Sequence, residues 1–98
     1  MSAQEFPIRD LGDLRSFVYS TLCNHEQLEF GAFPMTQRIL VRSGRACGIF
    51  FCLHGPRSVR FIAIWETEKN TILFYNSTGE RFLRVQLSES PSLALAAG

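Results

Sequence analysis

The 98-residue chain has few of the features that identify a function directly. Its seven glycines are scattered singly, so neither a dinucleotide-binding fingerprint nor a phosphate-binding loop can be read in the sequence. No apolar run approaches the roughly 20 residues that cross a membrane. The opening MSAQEFPIRD lacks the basic and apolar segments of a secretory signal. We therefore expect a cytoplasmic protein with no cofactor and no membrane contact.

Cysteine is also scarce. Cys23, Cys47 and Cys52 are an odd number in a chain without a secretory signal, which argues against a disulfide framework and predicts reduced, packed thiols. Two of them belong to Cys-x-His pairs, Cys23 with His25 and Cys52 with His54, and these four side chains would suffice for a tetrahedral metal site. The spacing matches no common zinc pattern, however, and positions two apart on a helix point in different directions. We predict no bound metal.

A catalytic set is equally hard to assemble. A nucleophilic cysteine needs a neighbouring base, and only Cys47 or Cys52 with His54 offers one. Cys47 and Cys52 are five residues apart, so they point to opposite faces of their predicted strand. No carboxylate lies near in sequence to orient the histidine. We expect a non-enzymatic protein with no catalytic residues; an enzyme using Cys52 and His54 is the least favoured alternative.

Charge is nearly balanced in total, with a formal net charge of +1, but it is unevenly distributed. Between Glu29 and Glu66 the chain has no acidic residue. The same segment holds five arginines: Arg38, Arg42, Arg45, Arg57 and Arg60. Arginine forks suit phosphate and carboxylate groups, so this basic region predicts contact with an anion or a nucleic acid as the alternative function.

Hydrophobic residues make up 46% of the chain, enough for the core of a single domain over residues 1–98, with 1–8 and 88–98 as loose tails. A helix is predicted from Asp10 to Asn24. Asp10 is a suitable N-cap, and Leu14, Val18 and Leu22 repeat at helical spacing.

The remainder of the chain has the pattern of strands separated by short turns. Strands are predicted near residues 37–42, 46–54, 58–67, 71–76 and 80–87. Ser43-Gly44 fits a two-residue hairpin loop, and Asn70 and Gly79 fit left-handed positions in the later turns. The fold class is therefore α+β, with one N-terminal helix packed on a four- to five-stranded antiparallel meander. A small Sm-like or SH3-like barrel with an N-terminal helix is the alternative, and a cystatin-like sheet curved around a helix is another.

Both faces of the predicted meander are apolar. Three-residue turns would place Trp65 in the core with Phe61, Ala63, Leu73, Tyr75, Leu83 and Val85. The opposite face would then carry Ile62, Ile64, Ile72, Phe74 and Phe82. One helix is too narrow to cover two faces of a sheet roughly 24 Å wide. We therefore expect a binding or interaction module in which this second face contacts another protein, with a homodimer as the favoured assembly.

Overall fold

The computed structural model describes residues 8–89 and 91, and in that part of the chain one helix packs on a five-stranded antiparallel sheet. The elements are α1 (Leu11–Glu26), β1 (Met35–Arg42), β2 (Arg45–His54), β3 (Arg60–Glu66), β4 (Thr71–Tyr75) and β5 (Arg81–Gln86). The strands lie side by side in chain order. The sheet is open, with β1 and β5 at its edges, so the α+β prediction is confirmed and the barrel is not adopted.

Helix α1 begins and ends with side-chain and main-chain caps. Asp10 is the N-cap, and its carboxylate accepts a hydrogen bond from the Asp13 amide at 2.8 Å. Gln27 takes a left-handed conformation at the other end, where its amide and that of Leu28 donate to carbonyls of the last turn. The predicted stripe of Leu14, Val18 and Leu22 is fully buried.

The core lies between α1 and one face of the sheet, hereafter the inner face. Its largest member is Trp65, which is completely buried as predicted. The sheet residues packed under the helix are Ile49, Phe51, Leu53, Phe61, Ala63, Trp65, Ile72 and Phe74. The ring of Phe17 packs edge-on against that of Phe74, which joins the helix to β4.

The predicted face of β4 is wrong. Glu66 pairs with Thr71 and Trp65 with Ile72, so the β3–β4 loop contains four residues, 67–70, instead of three. A shift of one residue moves every side chain of a strand to the other face. Ile72 and Phe74 therefore lie in the core, and Leu73 and Tyr75 lie on the face away from the helix, hereafter the outer face.

The predicted pairing of the first hairpin is correct at its tip and wrong beyond it. Arg42 lies opposite Arg45, but Leu40 pairs with Gly48 and Val41 with Ala46, so Cys47 is an extra residue that forms a bulge. Both the amide and the hydroxyl of Thr67 donate to the Cys47 carbonyl at 3.0 Å. Beyond the bulge, the alternation of β1 side chains between the two faces is shifted by one residue. The Leu40 side chain therefore lies on the outer face.

The helix is also tied to the start of β1. The Arg15 guanidinium donates to the Gln37 side-chain oxygen and to the Met35 carbonyl, each at 2.6 Å. The Tyr19 hydroxyl donates to the Phe33 carbonyl at 2.8 Å and accepts from the Gly31 amide. The irregular connector between α1 and β1 is therefore fixed to the helix.

The predicted loose tails are only partly described. Ile8, assigned to the lead-in, is 5% exposed and belongs to the core. Near the other end, the Asn70 side chain donates to the Glu89 carbonyl at 2.9 Å, and Pro91 is buried. Residues 1–7, 90 and 92–98 lie outside the described part of the chain. Among the described residues, no helix is long and apolar enough to cross a membrane.

Candidate functional site

The outer face presents three cross-strand rows, and in two of them apolar side chains occupy the central strands. The central row runs Arg38, Phe50, Ile64, Leu73 and Arg84 from β1 to β5. Three apolar residues on the inner strands are thus flanked by an arginine on each edge strand. Directly opposite residues on one face have Cβ atoms about 5 Å apart, so each row is continuous.

A second row is apolar at its centre as well. It runs Thr36, Cys52, Ile62 and Tyr75. Cys52 is 6% exposed, whereas Ile62 and Tyr75 are half-buried. Neighbouring outer-face residues therefore shield one another only partly, and none of these side chains joins the core cluster that is described under the helix.

A third row contains a gap in the side-chain layer. It runs Leu40, Gly48, Glu66, Thr71 and Gln86. Gly48 lies in the middle of β2, and a Cβ at this position would overlap the main-chain carbonyl oxygen of Trp65. The position is therefore restricted to glycine.

A hollow of about 190 Å³ opens on the outer face beside Glu66. Its apolar walls are Leu40, Ile64 and Leu73, and its rim carries Arg42, Cys47, Glu66 and Glu68. Phe50 follows Gly48 by two positions on β2, so its side chain lies on the same face. The Arg38 guanidinium carbon lies 5.2 Å from the centre of the Phe50 ring, in cation–π contact.

Charge on the outer face differs between its two ends. Glu66 and Glu68 lie at the end formed by the β3–β4 turn. Arg60 lies at the opposite end of β3, paired with His54. The His54 ring nitrogen Nε2 is 3.0 Å from the hydroxyl of Thr36. Along β3 the surface is therefore acidic at one end and basic at the other.

Only two of the five residues predicted for the second face lie on the outer face. Ile62 and Ile64 do, and both are half-buried. Ile72 and Phe74 are fully buried in the core because of the four-residue loop before β4. Phe82 is the extra residue of a second bulge, since Phe74 pairs with Leu83 and Tyr75 with Arg81. It packs on the helix side, where its ring stacks on that of His25 with centres 3.5 Å apart.

The five arginines of the predicted basic region do not form one patch. Arg42 and Arg45 are at the hairpin tip, and Arg60 is at the other end of the sheet, roughly 30 Å away along the ten-residue strand β2. Arg57 lies in the 3₁₀ turn Pro56–Ser58, three residues before Arg60. Arg38 lies between the two ends.

The cysteines and histidines are dispersed. All three thiols are free, and the described residues contain no group of three or more His, Cys, Asp or Glu side chains able to hold a metal ion. Cys23 is buried in the core while His25 is exposed beside β5. Burial raises the pKa of the Cys23 thiol above its ordinary value, and a hydrogen bond with Tyr19 opposes this effect.

Several outer-face residues were not predicted to belong to this surface, namely Leu40, Gly48, Phe50, Cys52, Leu73 and Tyr75. The alternation of apolar and polar residues could not show which face of β4 is buried, because both faces of this strand are equally apolar. The phenol of Tyr75 is the one signal that favours the solvent side, since a buried hydroxyl needs a partner.

Comparison with known proteins adds no functional assignment: no protein-family model matches the chain, and no curated protein or solved structure is significantly similar to it.

Proposed function

We propose that this protein is a small non-enzymatic interaction module whose outer face binds a second copy of the chain. The observation that carries the proposal is the central row, in which Phe50, Ile64 and Leu73 stand half-buried between Arg38 and Arg84. An apolar centre with arginine at its margin is the composition of a protein interface.

The size of the surface supports a stable contact. Five strands about 4.8 Å apart span roughly 24 Å, and the seven residues of β3 span about the same length. Side-chain relief increases this flat area of about 550 Å² toward the roughly 800 Å² per partner of a standard interface. A homodimer needs no other gene product, and isologous pairs are the commonest protein assemblies.

Binding to nucleic acid or another anion receives less support from the geometry. The basic region is divided between the two ends of the sheet, and Glu66 and Glu68 share the outer face with its arginines. The three free thiols suit a reducing compartment, so the proposal places the dimer in the cytoplasm.

The experiment is sedimentation equilibrium of the full chain from micromolar to hundreds of micromolar, compared with Ile64→Glu. Wild type is expected at twice the monomer mass. Ile64→Glu is expected to be a folded monomer, because a carboxylate in the centre of an apolar interface is buried without a partner. The matched control is Phe30→Glu, the same change at a 54% exposed aromatic away from the sheet, which should leave the dimer intact.

A wild-type monomer across the whole concentration range would contradict the proposal. A dimer equally tight in wild type and Ile64→Glu would place the contact on another surface. Binding to a mixed-sequence oligonucleotide that weakens steeply with salt, without self-association, would favour the anion-binding alternative.

A further inference from the structure

A second cavity, of about 560 Å³, opens at the end of β3 that is opposite Glu66. It lies between the turn that leads into β3 and the turn, residues 76–80, that joins β4 to β5. Its volume falls within the roughly 300–1,000 Å³ that is usual for small-molecule sites. The walls include Ser58, Val59, Arg60, Ile62, Asn76 and Ser77.

The polar side chains in these walls can donate hydrogen bonds, and none of them is a carboxylate. Arg60 supplies a guanidinium, and no carboxylate in the described part of the chain forms an ion pair with it. Ser58 and Ser77 supply hydroxyls, and neither hydroxyl bonds to another described residue. One positive charge and two free hydroxyls therefore line the same cavity.

The side chain of Asn76 is oriented by its own turn. Its oxygen accepts hydrogen bonds from the amides of Thr78 and Glu80 at 3.0 and 2.9 Å, and from the Thr78 hydroxyl at 2.8 Å. Because the oxygen is occupied, the NH₂ group is the polar part of Asn76 that remains for a ligand. Glu80 is close in the chain, but its side chain does not line the cavity. A set of donors around a positive charge is complementary to an anion.

The backbone on one side of the cavity is strained. Arg57 and Ser58 are consecutive residues, and both take the left-handed conformation, with φ of 59° and 63°. This conformation is unfavourable for residues other than glycine, and such strain is concentrated at ligand sites. Main-chain hydrogen bonds hold the turn, since the Gly55 amide donates to the Val59 carbonyl and the Val59 amide to the Pro56 carbonyl. The strained turn thereby places Ser58 in the cavity wall, two residues before Arg60.

We propose that this cavity binds a small phosphate monoester. A phosphate group presents three terminal oxygens, which suit a guanidinium fork with hydroxyl and amide donors better than the two oxygens of a carboxylate do. Val59 and Ile62 form an apolar wall beside these donors, against which the organic part of the ester lies. The site needs only the Arg60 end of the divided basic region. It is independent of the proposed dimer, because all of its walls belong to one chain.

The first test titrates phenyl phosphate, inorganic phosphate and benzoate into the ¹⁵N-labelled full chain and follows the amide resonances. Saturable shifts are expected at residues 58–62 and 76–79, with phenyl phosphate the tightest of the three probes. Arg60→Gln should weaken binding of phenyl phosphate at least about tenfold, because charge-assisted hydrogen bonds are lost. The control is Arg45→Gln, the same change at an exposed arginine at the other end of β2, which should bind like wild type.

The second test uses the left-handed backbone. Ser58→Gly and Ser43→Gly are matched changes, since both serines have positive φ, of 63° and 54°, and glycine accepts this conformation without strain. Both variants should be at least as stable as wild type in urea unfolding. Only Ser58→Gly should bind phenyl phosphate more weakly, by about three- to tenfold, because it lacks one hydroxyl donor.

The absence of saturable shifts with phenyl phosphate up to tens of millimolar would overturn the proposal. Equal weakening by Arg60→Gln and Arg45→Gln would overturn it as well, since this result indicates general attraction to arginine. Benzoate that binds as tightly as phenyl phosphate would overturn the choice of phosphate. Circular dichroism of each variant establishes that a loss of binding is not a loss of folding.

Discussion

The indole N–H of Trp65 donates a hydrogen bond to the side-chain oxygen of Asn70 at 3.0 Å. Asn70 is the left-handed residue of the β3–β4 turn, with φ of 51°. Its amide group also donates to the carbonyls of Leu87 and Glu89, which follow β5. One side chain thus satisfies the indole N–H of a completely buried tryptophan and fixes the segment after the last strand.

Asn70→Gly tests this relationship because glycine accepts the left-handed backbone without strain. The variant leaves the buried indole N–H without an acceptor and releases the Leu87 and Glu89 carbonyls. We expect a loss of about 2–3 kcal/mol in the free energy of unfolding. Urea unfolding followed by tryptophan fluorescence measures it, with Gly79→Asn at the other left-handed turn position as the control. A loss below about 0.5 kcal/mol would show that the hydrogen bond is not important for stability.

The corrected face of β4 predicts opposite behaviour for two adjacent residues. Ile72→Ala removes fully buried methyl groups and should cost about 2–5 kcal/mol in unfolding free energy. Leu73→Ala, on the half-buried outer face, should cost less in stability and more in self-association. Chemical denaturation and sedimentation of both variants check this. If Leu73→Ala were more destabilising than Ile72→Ala, the β3–β4 turn would hold three residues, and Leu73 would be the core residue.

Gly48→Ala is expected to destabilise the fold because the new Cβ overlaps the Trp65 carbonyl. The neighbouring backbone must shift, at a cost of about 1–3 kcal/mol typical of overpacking. Ala46→Ser, at an exposed position of the same strand, should be nearly neutral. Thermal unfolding of both variants measures the difference, and equal melting temperatures would mean that β2 accommodates the extra atom.

Stability should decline at alkaline pH partly through Cys23. Its pKa is raised in the folded state above the ordinary value of 9.0, so the unfolded chain loses the proton first. The contribution of Cys23 to the free energy of unfolding is constant below about pH 9 and falls as the pH rises beyond this value. Cys23→Ala should flatten this alkaline slope in urea titrations. An unchanged slope in Cys23→Ala would assign the decline to other groups.

The number and order of the elements could be predicted because they depend on local signals. Asp10 as N-cap, the stripe through Leu14, Val18 and Leu22, and the turn at Ser43-Gly44 all lie where the sequence indicates. Strand faces could not be predicted with the same certainty. They depend on whether a connection holds three or four residues, and Thr67 closes the β3–β4 loop by bonding to Cys47, twenty residues earlier.

Part of the candidate surface was therefore predicted and part was not. Ile62 and Ile64 were correctly placed together because they precede the uncertain loop on one uninterrupted strand. Ile72 and Phe74 were misplaced because the loop before β4 holds one residue more than expected, and Phe82 lies with Phe74 on the helix side. The need for glycine at position 48 could not be foreseen, since it arises from the approach of the Trp65 carbonyl to a strand that is distant in sequence.

The extra residue Phe82 has a further consequence for how copies of this protein assemble. Edge strands with regular ladders invite strand addition, which repeats without limit and leads to fibres. The bulge at Phe82 interrupts the β5 edge next to its pairing with Phe74, so a further strand would meet an irregular ladder there. Association through a face about a two-fold axis ends at two subunits. The same bulge that lies beside the Phe82–His25 contact thus discourages strand addition at the β5 edge.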